Sequence, residues 1–502
     1  MLCLATLMPA TAQTELRTEA QLTTASGDHA PLWLNANRYG LSSLDKSNGY
    51  VRAALVRPLS SDSTRQWRRG FAADLAVADG FTSTIVVQQM YAELGWKQWL
   101  LTAGAKEQPM QMKNQELSSG SQTLGINARP VPGVRLEIPD YWDIPGTKGW
   151  MAFKGHIFYG WATDANWQKN FIIGERRRTE DTKYHTKAGY LRIGPADRHV
   201  NAELGLEMGC QFGGKTFNYY NPTPMIISNE SGLKGALHAL IPGGSDPDET
   251  DYMNTEGNHV GSMLLKVNAD YPAWAAAIYA DHYFEDHSQL FFFSRNGYGT
   301  GDEWDKKVRN EYFVYDLRDA MLGVELTLKN IPWLSNIVAE YLYTKYQSGP
   351  VYHDHTKTMP DQVASVDNYY NHHIFTGWQH WGQVMGNPLY RSPLYNKDHD
   401  ISVEDNRFWA WHFGVSGTPV GNLHYRLLLT YQKGFGTYQT PFCNPKYNTS
   451  MLAEVKYDCP DDSNMKGWSL RGAFALDRGQ LLGDNTGVQL TVGKRLNIEH
   501  KR

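Results

Sequence analysis

The chain has 502 residues and a formal charge of -4, from 48 basic against 52 acidic residues, so it lacks the cationic excess that tracks a phosphate backbone and nucleic acid is not an expected partner. Aromatic residues make up 13% of it, with 29 Tyr and 16 Trp, and mean hydropathy is -0.51. No window reaches the roughly 18 consecutive apolar residues of a membrane-spanning helix, so any membrane span must be built from strands.

The chain opens with MLCLATLMPATAQ, an apolar run from Leu2 to Met8 followed by Ala10-Thr11-Ala12, which fits the small-x-small site of a secretory signal. Residues 1–13 are therefore expected to be a signal peptide, and 14–502 a single exported domain. Cys3 leaves with the signal. The remaining Cys210, Cys443 and Cys459 make neither a disulfide framework nor a CxxC metal site.

Period-two alternation then recurs along the whole chain. In NAELGLEMGCQF (201–212), Ala202, Leu204, Leu206, Met208, Cys210 and Phe212 share one parity and Glu203, Glu207 and Gln211 the other, the pattern of a strand. Such runs predict strands near 15–25, 49–59, 69–80, 85–96, 99–108, 131–140, 149–162, 185–196, 199–214, 259–271, 273–286, 318–329, 334–349, 408–419, 422–435, 467–478 and 486–496. Many exceed the usual soluble strand of five or six residues and match a tilted transmembrane strand of about nine to eleven.

Seventeen strands would leave the two chain ends on opposite sides, whereas bacterial single-chain barrels have an even number. TSMLAEVKY (449–457) supplies the eighteenth, with Met451, Ala453, Val455 and Tyr457 facing away from Leu452, Glu454 and Lys456. Its insertion puts Cys443 and Cys459 near opposite membrane faces, where they cannot bond. Tight turns near 97–98, 197–198, 330–333 and 420–421 alternate with long loops at 109–130, 163–184, 215–258, 287–317 and 350–407. The expected fold is all-β: an antiparallel transmembrane barrel of about 18 strands, with short periplasmic turns and long extracellular loops, in the bacterial outer membrane. Glu203, Glu207, Glu325, Arg471 and Asp477 should line an interior wide enough for water, with the apolar parity on lipid. Trp96, Trp99, Tyr159, Trp161, Tyr271 and Trp274 suit interfacial girdles.

Three stretches, APLWLNANRYG (30–40), LSSGSQTLGINARPVPGVRL (117–136) and YYNHHIFTGWQHWGQVMGNPLY (369–390), resemble the Wzi capsule-assembly family of outer-membrane proteins, particularly its Bacteroidetes members. The similarity runs from about residue 14 to the end, and ALDRGQLLGDNTGVQLTVGK is similar in style to family C-termini. The resemblance implies an eighteen-stranded barrel that helps assemble or attach capsular polysaccharide through lectin-like contact. Its expected partners are capsular or other surface polysaccharide, outer-membrane lipid and polysaccharide-export machinery.

The loop 350–407 concentrates Tyr352, His353, His355, Tyr369, Tyr370, His372, His373, Trp378, His380 and Trp381. Rings of this kind stack on flat sugar faces and have few rotatable bonds to lose, or else pack the loop on itself. Tyr369, His372, His373, Trp378, His380 and Trp381 are the candidate glycan-binding residues. His353-Asp354-His355 with His372 and His373 lacks the fixed spacing of a metal site, so no metal or cofactor is expected. Asp281, His282, Glu285, Asp286 and His287 offer acid and base groups but fit a solvated barrel rim better, and DPDETD (246–251), which could attract calcium, lacks the loop spacing of a defined site and fits a solvated acidic turn better. Asn35 to Tyr39 and Asn127 to Pro130 carry Asn and Arg side chains that could donate to sugar hydroxyls or hold their loops in place, and structural roles fit better. With no activated nucleophile recognisable, the chain is read as non-enzymatic. A general or sugar-selective porin is the alternative, and a hydrolase relying on loop His and Asp residues is the weakest reading.

Overall fold

The computed structural model describes residues 13–60, 66–218, 225–242, 257–285, 296–299, 301–309, 318–353 and 362–498. Residues 1–12 of the expected leader 1–13, DPDETD, Asp286, His287 and His355 lie outside them.

Eighteen antiparallel strands form one closed sheet: Thr14–Ser26, Ser47–Arg57, Trp67–Asp79, Ile85–Trp96, Trp99–Ala105, Gly133–Asp143, Met151–Trp161, Lys183–Ile193, Val200–Phe212, Asn258–Asp270, Trp274–Glu285, Ala320–Leu328, Asn336–Tyr343, Phe408–Val420, Leu423–Gly436, Pro441–Asp458, Trp468–Gly479 and Asn485–Ile498. The first strand pairs with the last, Leu16 opposite Leu496 and Ala20 opposite Val492, so no edge is left unpaired. All eighteen predicted strands are present. The one inferred from parity alone is longer than expected, because it begins eight residues earlier, at Pro441.

The outward parity is apolar and exposed, as at Leu204, Val324, Leu427, Phe474 and Val488. A wall that shows leucine and valine to its surroundings is stable only where those surroundings are hydrocarbon. Trp67, Trp96, Trp99, Trp274 and Trp468 are exposed at the short-turn end of their strands, and Trp161 at the other. Tyr159 departs from the expected girdle: it lies beneath a helix that crosses the outer wall, and its hydroxyl donates to the Ala236 carbonyl at 2.8 Å.

The interior also departs from expectation. Glu207 and Asp477 do point inward, but both are fully buried, because chain and not water fills the middle of the barrel. One apolar cluster joins wall residues Val260, Val338, Leu428 and Ala475 to Leu32, Trp33, Leu117, Tyr369 and Trp378 of inserted loops. Cys210, Cys443 and Cys459 form no disulfide among the described residues, and the last two stand at opposite ends of the strand Pro441–Asp458 or just beyond it.

Candidate functional site in the barrel lumen

The plug is made by the three stretches that carry the family resemblance, together with the residues that flank them. The first enters at the long-loop end as a one-turn helix, Leu32–Asn35, whose four residues are all buried. Its start is held by Asp477, which accepts from Leu32 N at 3.1 Å, and Trp33 Nε1 donates to Thr430 Oγ1 at 3.2 Å. Arg38 then meets Glu454 at 2.9 Å, and that carboxylate also receives Arg426 at 2.9 Å. The inward charges are thus matched to plug residues, which is how a buried ion remains tolerable.

The second stretch descends furthest. Lys113 Nζ sits 2.5 Å from Asp281 Oδ2, both groups wholly buried, and Asn114 Nδ2 donates to Glu325 at 2.8 Å. Ser118 Oγ and Ser119 N donate to the two oxygens of Glu340 at 2.6 and 2.8 Å. Glu116 reaches His424, the second residue of a strand that starts at the short-turn end, at 3.1 Å. This segment therefore crosses most of the barrel's height.

The third stretch locks the other two together. Asn127 Nδ2 donates to the Val384 carbonyl at 2.9 Å while its Oδ1 accepts from Asn37 N at 3.1 Å, so one amide touches all three stretches. Trp378 Nε1 donates to Thr123 O at 2.9 Å, Gln383 Nε2 to Asn35 Oδ1 at 3.1 Å, and Tyr370 Oη to the Gln122 carbonyl. Two glycines are required for this closeness. A Cβ on Gly40, where φ is +68°, would lie 2.4 Å from Arg129 N, and one on Gly386 would lie 1.9 Å from Tyr370 Oη.

Of the six candidate glycan-binding residues, Tyr369, Trp378 and His380 are wholly buried in this lock. His380 Nδ1 donates to the Arg129 carbonyl at 2.8 Å and Nε2 accepts from Thr163 N at 3.2 Å, which fixes the neutral Nδ1–H tautomer. Burial accordingly pushes the His380 pKa down. His372, His373 and Trp381 reach the surface at the long-loop end. The His372 and His373 rings lie 4.4 Å apart, tied down by Arg177, which donates to both backbone carbonyls.

Trp381 adopts a left-handed backbone conformation, φ 56°, that turns its ring out of the lock. The Arg129 guanidinium covers one face of that ring at 4.3 Å, and its Nε1 donates to Thr163 Oγ1 at 3.0 Å. Burial lowers Arg129 to about 10. The sequence offers Arg129 as a sugar-hydroxyl donor or, in better keeping with its stretch, a loop-holding residue; its place beside the aromatic run emerges from the fold.

The expected solvated rim at Asp281, His282 and Glu285 is instead buried: on the lumen side Asp281 holds Lys113 and Glu285 accepts from Tyr283 Oη at 2.7 Å and Tyr370 N at 2.5 Å, while His282, on the outward parity with Met263, has its Nδ1 2.6 Å from the Asp319 carbonyl. Among the described residues no three His, Cys, Asp or Glu side chains are grouped to hold a metal ion. Below the plug, two polar cavities of about 530 and 410 Å³ open at the short-turn end, one beside Arg17, Arg52 and Arg495, the other beside Arg192, Lys266 and Glu203. A smaller one of about 130 Å³ lies between plug and wall near Tyr39, Arg129 and His156.

No family model matches the chain, and no curated protein matches it in sequence. Among solved structures, Escherichia coli Wzi, an outer-membrane protein involved in group 1 capsule assembly and a carbohydrate-binding β-barrel, aligns over 96% of this chain and 85% of its own, with a TM-score of 0.56 and 13% identity. Pseudomonas aeruginosa OprD aligns over 97% and 96% at 9% identity with a TM-score of 0.45, and Acinetobacter baumannii OccAB4 over 98% and 100% at 8% identity with a TM-score of 0.46. The likeness to Wzi shows the fold, that of an outer-membrane β-barrel.

Proposed function

We propose that this protein is a non-enzymatic outer-membrane barrel that holds or helps assemble surface polysaccharide, with its long loops facing the cell exterior. The observation that carries the reading is the plug: three interlocked stretches block the lumen at mid-height and leave Trp381, His372 and His373 at the long-loop surface. A blocked barrel with a rigid aromatic surface suits holding a polymer better than passing solutes. The Wzi fold, in a protein that binds carbohydrate, supports the same reading, as does the resemblance of the plug stretches to that family.

In this reading Trp381 offers a sugar the ring face opposite Arg129, and His372 and His373 donate or accept at hydroxyls. Tyr369, Trp378 and His380 act from beneath as the rigid support of that surface. Outer-membrane lipid surrounds the wall, and polysaccharide-export machinery is the expected protein partner.

The test is binding of the detergent-solubilised protein to surface polysaccharide purified from its own host. Saturable binding is expected, weakened about 3- to 10-fold by Trp381→Ala, the worth of one aromatic stacking contact. Absence of binding by the intact protein would overturn the reading. A general or sugar-selective porin is the second reading, favoured by the charged cavities at the short-turn end.

A further inference from the structure

The helix Leu233–Leu240 lies outside the barrel, across the long-loop ends of the strands Met151–Trp161, Lys183–Ile193 and Val200–Phe212. Lys187 Nζ donates to the carbonyl of Ala239 at 3.1 Å and to that of Leu240, capping the helix C-terminus with a cation. Ala239 packs with Cys210 and Phe212, which share the outward parity of Leu204. Lys187 pairs with Met208 and His185 with Cys210 in the sheet register, so both also face outward.

The largest apolar side chains of this helix lie on its outer side and charged wall groups lie under it, unlike a helix on a water-soluble protein. Beneath the helix, beside the apolar contact of Ala239 with Cys210 and Phe212, lie polar wall groups, the His185 ring 4.4 Å from that of Tyr159 and the Lys187 ammonium. On its opposite side Leu233 and Leu237, one turn apart, and Ile241, just past the helix end, are 78, 51 and 71% exposed, with the long side chain of Lys234 exposed beside them. In water this stripe would turn inward and the lysine outward; in hydrocarbon the observed arrangement is the stable one. The stripe also continues the apolar belt, since Ile157 and Leu204 are exposed on the same side of the wall.

We propose that this helix is an interfacial lipid anchor: its Leu233, Leu237 and Ile241 side chains enter the acyl region of the leaflet at the long-loop end, while its inner face shields Lys187 and His185. It rests on the membrane reading of the barrel and is independent of polysaccharide binding.

The experiment places a nitroxide at position 237 through Leu237→Cys, in protein with Cys3, Cys443 and Cys459 replaced by serine, reconstituted in phospholipid vesicles. A second reporter, Leu233→Cys, covers failure of the first to fold. Labels at belt residue Val488 and at exposed Lys397 serve as lipid and aqueous references. Collision with oxygen at 237 is expected to match Val488 and exceed collision with a water-soluble nickel chelate several-fold. Nickel access equal to that at 397, with Val488 still in lipid, overturns the anchor alone. An aqueous signal at Val488 overturns the membrane reading beneath it. An immobile label reached by neither reagent overturns lipid as occupant in favour of a protein.

Discussion

The side-chain amide of Asn127 donates to the backbone carbonyl of Val384 at 2.9 Å, across 257 residues of sequence and with both groups buried. Because the same amide accepts from Asn37, it is the point at which all three plug stretches meet. Asn127→Leu keeps the volume but leaves a buried carbonyl unpaired, at about 1–3 kcal/mol, and a half-buried N–H without its partner. The expected outcome is a barrel that still folds, with faster proteolysis inside 117–136. Proteolysis unchanged from wild type would count against the lock.

Lys113 and Asp281 form a buried pair that ties the deepest part of the plug to the wall. Lys113→Met strands an unpaired carboxylate and should cost about 3–5 kcal/mol, whereas the double variant Lys113→Met/Asp281→Leu removes both charges and should recover most of that loss. Thermal melting of the single and double variants in detergent checks the order: wild type and double above either single.

Two plug groups give opposite pH dependences. Burial lowers His380, so below about pH 6.5 the unfolded chain takes up a proton that the folded one refuses, and stability falls as pH drops. Burial raises Asp405 to about 7, so between about pH 4 and pH 7 the folded carboxyl keeps a proton that the unfolded chain has released, and stability falls as pH rises. Asp405→Asn, which still accepts from Phe435 N and Gly436 N, should therefore melt above wild type at pH 8 and level with it at pH 4. An equal shift at both pH values would exclude titration as the cause.

Cys443 is exposed near the long-loop end, and Cys459 lies across the barrel wall at the short-turn end. If the long loops face outward, a membrane-impermeant maleimide added to intact cells labels Cys443 and spares Cys459, and disruption of the cells exposes both. The reverse order would invert the proposed orientation.

The wall was legible in the sequence because a strand with lipid on one side and protein on the other must alternate strictly. Even the strand at 449–457 could be placed from parity and the need for an even count. The plug was not legible as a plug. Its contacts, such as Asn127 with Val384 and Trp378 with Thr123, join segments without periodicity through backbone groups, and nothing local distinguishes a loop that folds inward from one in water. The same blindness made Asp281 and Glu285 look like a solvated rim. The outer helix did carry a signal, Leu233, Leu237 and Ile241 at intervals of four, inside a long loop otherwise rich in polar residues.

Single-channel recording in planar bilayers tests the closed lumen most directly. The account expects wild type to insert without steady conductance, and Lys113→Met, which loosens the plug, to show intermittent openings. A stable, ohmic, open pore from the wild-type protein would contradict it and make the barrel a porin.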